Sequence, residues 1–397
     1  MKCSSSILEM LVTLLQITTA FVMIYYFGFI KAFIFLFAAY VLFYLYITKV
    51  LNLYPLSTSD KILLGDTFFK RQQILTQLKF NNFSSEKMFE AIKERAFYNL
   101  PKLSSVLVYK FFNFYWKKSE KSLNEIINQR IKILPPMSEK EINDYKLREL
   151  HRDLNMFECP IEFHIVPYKD SFINGKYEEG FVFVKNDHSL TDGLGIISLM
   201  FSMGENFSPS IFPKIMFVRR DSIFDNFINL ILFIIIGIPI IIYLTVYVKS
   251  TCKLSNLPRT EKIALTETVS FDFFALKKRS KELKMSINEI CLTSFLASIK
   301  KNRSNKDKIT VEIPIGLSPV PNNISEVVLA NHVFALFQKF NLIDDPLKNY
   351  KLFKDDYNSL MKQAYAAKIS HIASSVLFAI LPFNISKNII VDIFHEV

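Results

Sequence analysis

Glycine is scarce in this chain: nine of 397 residues, where average usage would give about 7%. A collagen repeat, a glycine-rich linker array and a glycine-rich phosphate loop are excluded. No G-x-G-x-x-G or G-x-x-x-x-G-K-[ST] string occurs, so kinase, P-loop and dinucleotide-binding readings go too. Cysteine is equally thin. Cys3, Cys159, Cys252 and Cys291 lie far apart, with no C-x-x-C and no metal-ligand spacing. They read as reduced residues facing a cytosolic compartment, not as a disulfide framework. H-E-x-x-H and Cys/His clusters are missing as well, and no metal is expected.

What is abundant is apolar: 50% hydrophobic and 14% aromatic residues, which excludes a disordered chain. The length suggests roughly two to three domain-sized units. Net charge is +11, spread mostly as scattered lysine. The densest basic run, Lys277 to Lys284, lacks the interleaved aromatics of a nucleic-acid platform, so nucleic acid is not an expected partner. That run suits a solvated helix face, or contact with anionic headgroups or the phosphates of a cofactor.

Much of the apolar content lies in two runs. From Met10 to Thr48, 39 residues carry one charge, Lys31. About 20 apolar residues cross a bilayer, so residues 1–50 are expected to form a transmembrane hairpin anchor, with helices Met10 to Gly28 and Lys31 to Thr48 turning near Gly28. Lys2 before it and Lys49, Lys61, Lys70 and Arg71 after it leave both flanks cytosolic by the positive-inside rule. The second run, Phe227 to Val248, is uncharged for 22 residues but holds Gly237 and Pro239 near its middle. Taken alone residues 226–250 read as a third spanning helix, but a broken, re-entrant or in-plane membrane segment suits them better.

Between and after these runs the periodicity alternates. Phe83-Ser84-Ser85 leads into a helical pattern with Met88, Phe89, Ile92 and Ala96 on one face, and Ser138-x-x-Glu141 is a capping box opening another with Ile142, Leu147 and Leu150. IEFHIV from Ile161 and FVFV from Phe181 read as strands covered on at least one face. In the second half, residues 262–271, 308–317 and 331–340 read as strands. Ser286-x-x-Glu289 opens a helix with Ile287, Ile290, Cys291, Leu292, Phe295 and Ile299 inward. The expected class is α+β, with an N-terminal half over 51–225 and a C-terminal half over 251–397.

One constellation looks chemical: Asp187-His188-Ser189-Leu190-Thr191-Asp192-Gly193, between the FVFV strand and an apolar helical pattern. A side chain there is held rigidly where a strand ends and a helix begins. Six histidines, each with about a one in twenty chance of Asp four residues on, make a lone H-x-x-x-D unremarkable; requiring Gly next, at this chain's own glycine content, lowers the chance over all six to about one in a hundred. Gly193 and Gly195 in so glycine-poor a chain suggest φ > 0 or a close backbone approach. With no G-x-S-x-G elbow, His188 points to general-base chemistry, because imidazole titrates near pH 6.5 and can take a proton from a hydroxyl. Asp192 is read as bonding the His188 ring or, preferably, pairing with an arginine that holds the loop.

At these residues the sequence resembles the wax ester synthase/diacylglycerol acyltransferase family, within the CoA-dependent acyltransferase superfamily marked by H-H-x-x-x-D-G. LLGDTFFK around Asp66, LPKLSS followed by YWKK at Trp116, DLNMFECPIEFHIV, the MSINEI helix with Asn288, and VEIPIGL with ANHVFALF at Asn331 follow the family's landmarks in order. The resemblance implies a two-lobed chloramphenicol-acetyltransferase-like fold with His188 as base, supported by Asp187, Asp192 and Gly193, and with Asn288 and Asn331 as substrate or structural residues. It implies a membrane-bound O-acyltransferase of the endoplasmic reticulum with its catalytic halves facing the cytosol. Such an enzyme moves a fatty acyl group from acyl-CoA, a co-substrate and not a resident cofactor, to diacylglycerol or a long-chain alcohol. Asp187 replaces the first motif histidine, and no S-N-V-P-G-P string occurs, so a shortened second half and a non-catalytic lipid-binding or scaffold relative are the alternative expectation.

Overall fold

The structure is a computed structural model that describes residues 2–56, 60, 61, 64, 73–204, 272–303, 308–316, 321–342 and 353–358. Residues 226–250, the strand expected over 262–271, and Asp66 lie outside the described residues. The chain divides into two compact units, one of residues 1–221, 316–333 and 374–391, the other of 222–315, 334–373 and 392–397.

The first unit begins with α1 (Lys2–Phe27) and α2 (Phe29–Leu45). They meet at Gly28, where φ is +75°, a conformation only glycine adopts cheaply. Both helices leave large apolar side chains exposed, among them Leu15, Phe21, Tyr25, Phe35 and Leu42. The helices and their junction follow the sequence, but the spanning anchor does not. Among the described residues no helix is long and apolar enough to cross a membrane; the 17 residues of α2 rise only about 26 Å. The expected placement in the endoplasmic reticulum membrane is corrected on this finding.

A four-stranded sheet organises the rest of this unit. Its order is β2 (Gln73–Asn81), β9 (Glu179–Asp187), β6 (Ile161–Pro167), β5 (Ile131–Ile133). β2 and β6 run antiparallel to β9, and β5 runs parallel to β6; between β6 and β9 the short strands β7 (Phe172–Ile173) and β8 (Lys176–Tyr177) pair with each other. All seven residues of β6 are buried, so the IEFHIV pattern is covered on both faces. One face sends Phe163, Ile165, Val182 and Val184 into the main core with Ile92, Ala96 and Phe97 of the turns after α3 (Ser85–Ala91). The other sends Val166, Phe181 and Phe183 against Ile142 and Tyr145 of α5 (Glu139–His151), which opens with the expected Ser138–Glu141 capping box.

A separate three-stranded sheet joins β1 (Leu53–Pro55), β4 (Asn113–Lys118) and β3 (Ser105–Lys110). α4 (Leu123–Arg130) follows it, and its last residue, Arg130, is fully buried and donates to the carbonyls of Leu103, Ser105 and Glu158. α6 (Gly193–Ser202) follows the motif loop.

The second unit contains α7 (Phe273–Leu283), α8 (Ile287–Arg303) and a two-stranded sheet of β10 (Lys308–Gly316) and β11 (Val333–Asn341), whose end residues Gly316 and Val333 fall in the first unit. The Ser286–Glu289 capping box forms. The inward face of α8 differs from expectation: Glu289, Thr293, Leu296 and Ile299 are buried, while Cys291 and Phe295 are exposed. Glu289 is buried because Lys354 pairs with it, and Thr293 because its hydroxyl donates to Glu289 O at 2.6 Å.

Candidate active site

The site is built where β9 ends. Asp187 closes the strand, its amide donating to Pro160 O at 3.0 Å, and its Oδ1 accepts from the amide and the hydroxyl of Ser189 at 2.9 and 2.6 Å. These bonds turn the chain immediately. His188, half-buried at the corner, is thereby presented while its neighbours Asp187 and Ser189 are fully buried.

Asn331, fully buried and far along the chain, holds His188. Its Oδ1 lies 3.2 Å from His188 Nδ1. Its Nδ2 donates to His188 O at 2.7 Å and to Asp60 Oδ1 at 2.8 Å, and its main-chain amide donates to the same Asp60 oxygen at 3.1 Å. Asp60 in turn lies 3.9 Å from the ammonium of Lys102. Lys102 donates to Leu190 O at 2.7 Å and Leu329 O at 2.6 Å, and its ammonium sits 5.0 Å from the Trp116 ring centre. Burial lowers the Lys102 pKa, against the opposing pull of Asp60 and Asp192. Lys61, beside Asp60, is pushed down to about 8 by burial.

Among the described residues Asp192 makes no hydrogen bond to an arginine or to the His188 ring. It caps α6, with Oδ1 accepting from Gly195 N at 2.8 Å, and its Oδ2 accepts from His332 N at 3.1 Å. Burial raises its pKa; the two amides and His188 oppose the rise. The expected reason for the paired glycines separates in the same way. Neither Gly193 nor Gly195 has positive φ. A Cβ on Gly195 would stand 1.9 Å from Thr191 Oγ1, a close approach, whereas one on Gly193 would meet nothing within 4 Å.

Of the residues singled out in the sequence, His188, Asp187, Asp192, Gly193 and Asn331 come together in the first unit. Asn288 is exposed on α8, in the second unit. Asp60 and Lys102 were not foreseen. The available signal was weak, a charged residue just before LLGD and another inside LPKLSS.

A second polar cluster lies under α5. Carboxylate and ring atoms of Glu149, Glu162 and His164 fall within 4.8 Å of one another. Cations already occupy their oxygens: Arg152 pairs with both glutamates, Lys185 with Glu149 and Lys132 with Glu162. The His164 ring is also committed, to Glu162 at 2.9 Å and to the Tyr145 hydroxyl at 2.6 Å. A dication placed there would meet three positive side chains, which disfavours metal binding.

No protein-family model matches the chain, and no curated protein matches it in sequence. Solved structures do. The first condensation domain of the CDA synthetase superposes with a TM-score of 0.57 at 10% identity, over 80% of this chain and 75% of that one. A variant of the starter condensation domain of rhizomide synthetase in complex with C8-CoA gives 0.55 at 10% identity, over 83% and 75%. A cyclization-docking bidomain from Sorangium cellulosum gives 0.52 at 13% identity, over 84% and 69%. The chain therefore has a two-lobed α+β fold like that of condensation domains. None of these matches distinguishes the wax ester synthase/diacylglycerol acyltransferase family within that fold.

Proposed function

We propose that the protein is an acyltransferase whose base is His188, moving an acyl group from a thioester such as acyl-CoA to a hydroxyl acceptor. The observation that carries this reading is the His188–Asn331 contact at 3.2 Å. With the Nδ1 proton donated to the amide oxygen, Nε2 keeps its lone pair for an incoming hydroxyl. As the hydroxyl oxygen forms its bond to the thioester carbonyl carbon, its proton passes to Nε2. The carbon–sulfur bond then breaks, and the imidazolium returns the proton to the leaving thiolate, so no proton is left over.

Acyl-CoA is the donor we favour, since one fold neighbour is a condensation domain in complex with C8-CoA. Diacylglycerol or a long-chain alcohol is the acceptor class we favour, from the order of sequence landmarks around DHSLTDG. A non-catalytic acyl-binding relative is the second reading. Asp187, standing where the superfamily motif has histidine, favours it, because Asp187 Oδ1 is spent on Ser189.

Incubating the protein with labelled acyl-CoA and either diacylglycerol or a fatty alcohol tests both. Ester formation that falls about 10² to 10⁴-fold in folded His188→Ala supports the first reading. Undiminished turnover in that variant overturns the mechanism, and acyl binding without product in the wild type selects the second reading.

A further inference from the structure

Asn331 is an amide whose two ends face different demands. Two acceptors, Asp60 Oδ1 and His188 O, converge on Nδ2 at 2.8 and 2.7 Å. Only one orientation of the amide satisfies both, since the reverse would set an oxygen against two oxygens. That orientation fixes Oδ1 toward His188 Nδ1, and an oxygen there requires Nδ1 to carry the ring proton. The main-chain amide of Asn331 donates to the same Asp60 oxygen at 3.1 Å, so one carboxylate anchors both the backbone and the side chain of this residue. Asp60, 4% exposed, is itself held on the side of Lys102, 3.9 Å away. A buried carboxylate with one oxygen on Asn331 and the other toward an ammonium has little freedom to rotate.

We propose that Asp60 is a positioning residue: acting through Asn331, it sets the tautomer of His188 so that the lone pair sits on Nε2. This rests on the reading of His188 as a base. Asp60 touches neither the ring nor any reacting atom. Its role is to make the alternative orientation of the Asn331 amide unfavourable, in the way outer partners fix the ring orientation of metal-bound histidines. The relay is long-range in sequence, linking positions 60, 188 and 331, yet all three lie within the first unit.

The test is nitrogen NMR of the full chain with labelled histidine, assigning the His188 signals by their loss in His188→Gln. Neutral wild-type His188 is expected as the Nδ1–H form. In Asp60→Ala only the His188 carbonyl still holds the amide, so reversal costs less and the Nε2–H form should rise several-fold. Asp60→Asn, which keeps an acceptor oxygen for Asn331 Nδ2, should restore the wild-type pattern. In acyl transfer, Asp60→Ala should lower kcat about 3 to 10-fold, a fraction of the effect of losing the base itself, with KM unchanged.

An unchanged tautomer in Asp60→Ala that retains wild-type circular dichroism overturns the proposal. If Asp60→Ala fails to fold, Asp60→Ser replaces it and is judged by the same spectrum. The spectrum needs no substrate: a shifted tautomer in a protein without acyl transfer would retire the acyltransferase reading and leave the relay standing. Turnover with an unmoved tautomer would do the reverse.

Discussion

Asp192 Oδ1 accepts the amide hydrogen of Gly195 at 2.8 Å, so among the described residues the motif aspartate is bound to backbone and not to a guanidinium. Its other oxygen takes the His332 amide, which ties the start of α6 to the residue following Asn331. One carboxylate thus caps a helix and fixes the segment that holds His188.

Asp192→Ala removes both bonds. Losing an N-cap costs about 0.5 to 2 kcal/mol, and the stranded His332 amide adds about 1 kcal/mol or more. Asp192→Asn keeps an oxygen for Gly195 but sets an amide against the His332 N–H, so it should fall between. Urea unfolding is expected to rank wild type above Asn above Ala. Equal stability of all three would mean that the cap and the tie contribute nothing.

The two glycines of the motif make opposite predictions. Gly195→Ala drives a Cβ to 1.9 Å from Thr191 Oγ1 and 3.3 Å from Val328 O, an overpacking that should cost about 1 to 3 kcal/mol. Gly193→Ala meets open space at the first residue of α6 and should stabilise by about 0.4 to 1 kcal/mol through the unfolded chain. Thr191→Ala removes the obstructing hydroxyl, which is buried and makes no hydrogen bond among the described residues. The Thr191→Ala, Gly195→Ala double variant should therefore recover much of the loss. A strictly additive double-mutant cycle in thermal unfolding would refute this close-approach account.

What could be read from the chain itself was local. Ser138 with Glu141 and Ser286 with Glu289 announce helix starts because both partners lie within one turn. IEFHIV and FVFV announce strands because the side-chain period is two. The corner at His188 was legible for the same reason, with strand, loop and helix contiguous. Asp60 was not: its partner Asn331 lies 271 positions away, and pairing over that distance leaves no periodic trace. The α8 face was misread because its buried stripe contains Glu289 and Thr293. Burial of those polar side chains follows from Lys354 and from a back-bond to the helix, neither visible in an apolar pattern. For Asp192 a ring or guanidinium partner was expected, whereas the unsatisfied amides of a helix start lie nearer.

The network beneath α5 is expected to make the molecule acid-sensitive. Burial alone works to raise the Glu162 pKa, but bonds from His164, Arg152 and Lys132 overcome it and hold the carboxyl far below the ordinary range. A carboxylate depressed in the folded state contributes stability that is fully present above its unfolded value, near 4.3. That contribution is lost as pH falls further toward the folded value. Glu149 is shifted in the same direction, with burial opposed by Arg152 and Lys185. Glu162→Gln leaves Arg152 and Lys132 short of a charge partner; both are partly exposed, so the cost at neutral pH should be about 1 to 3 kcal/mol, below that of a broken fully buried pair. Urea midpoints measured from pH 7 down to about pH 2.5 should fall steeply below pH 4 in the wild type and less steeply in Glu162→Gln, the two curves converging in acid. Because cations already fill the cluster, zinc added at pH 7 should leave the wild-type midpoint unmoved. Parallel curves that never converge would place the stabilising charge somewhere other than Glu162.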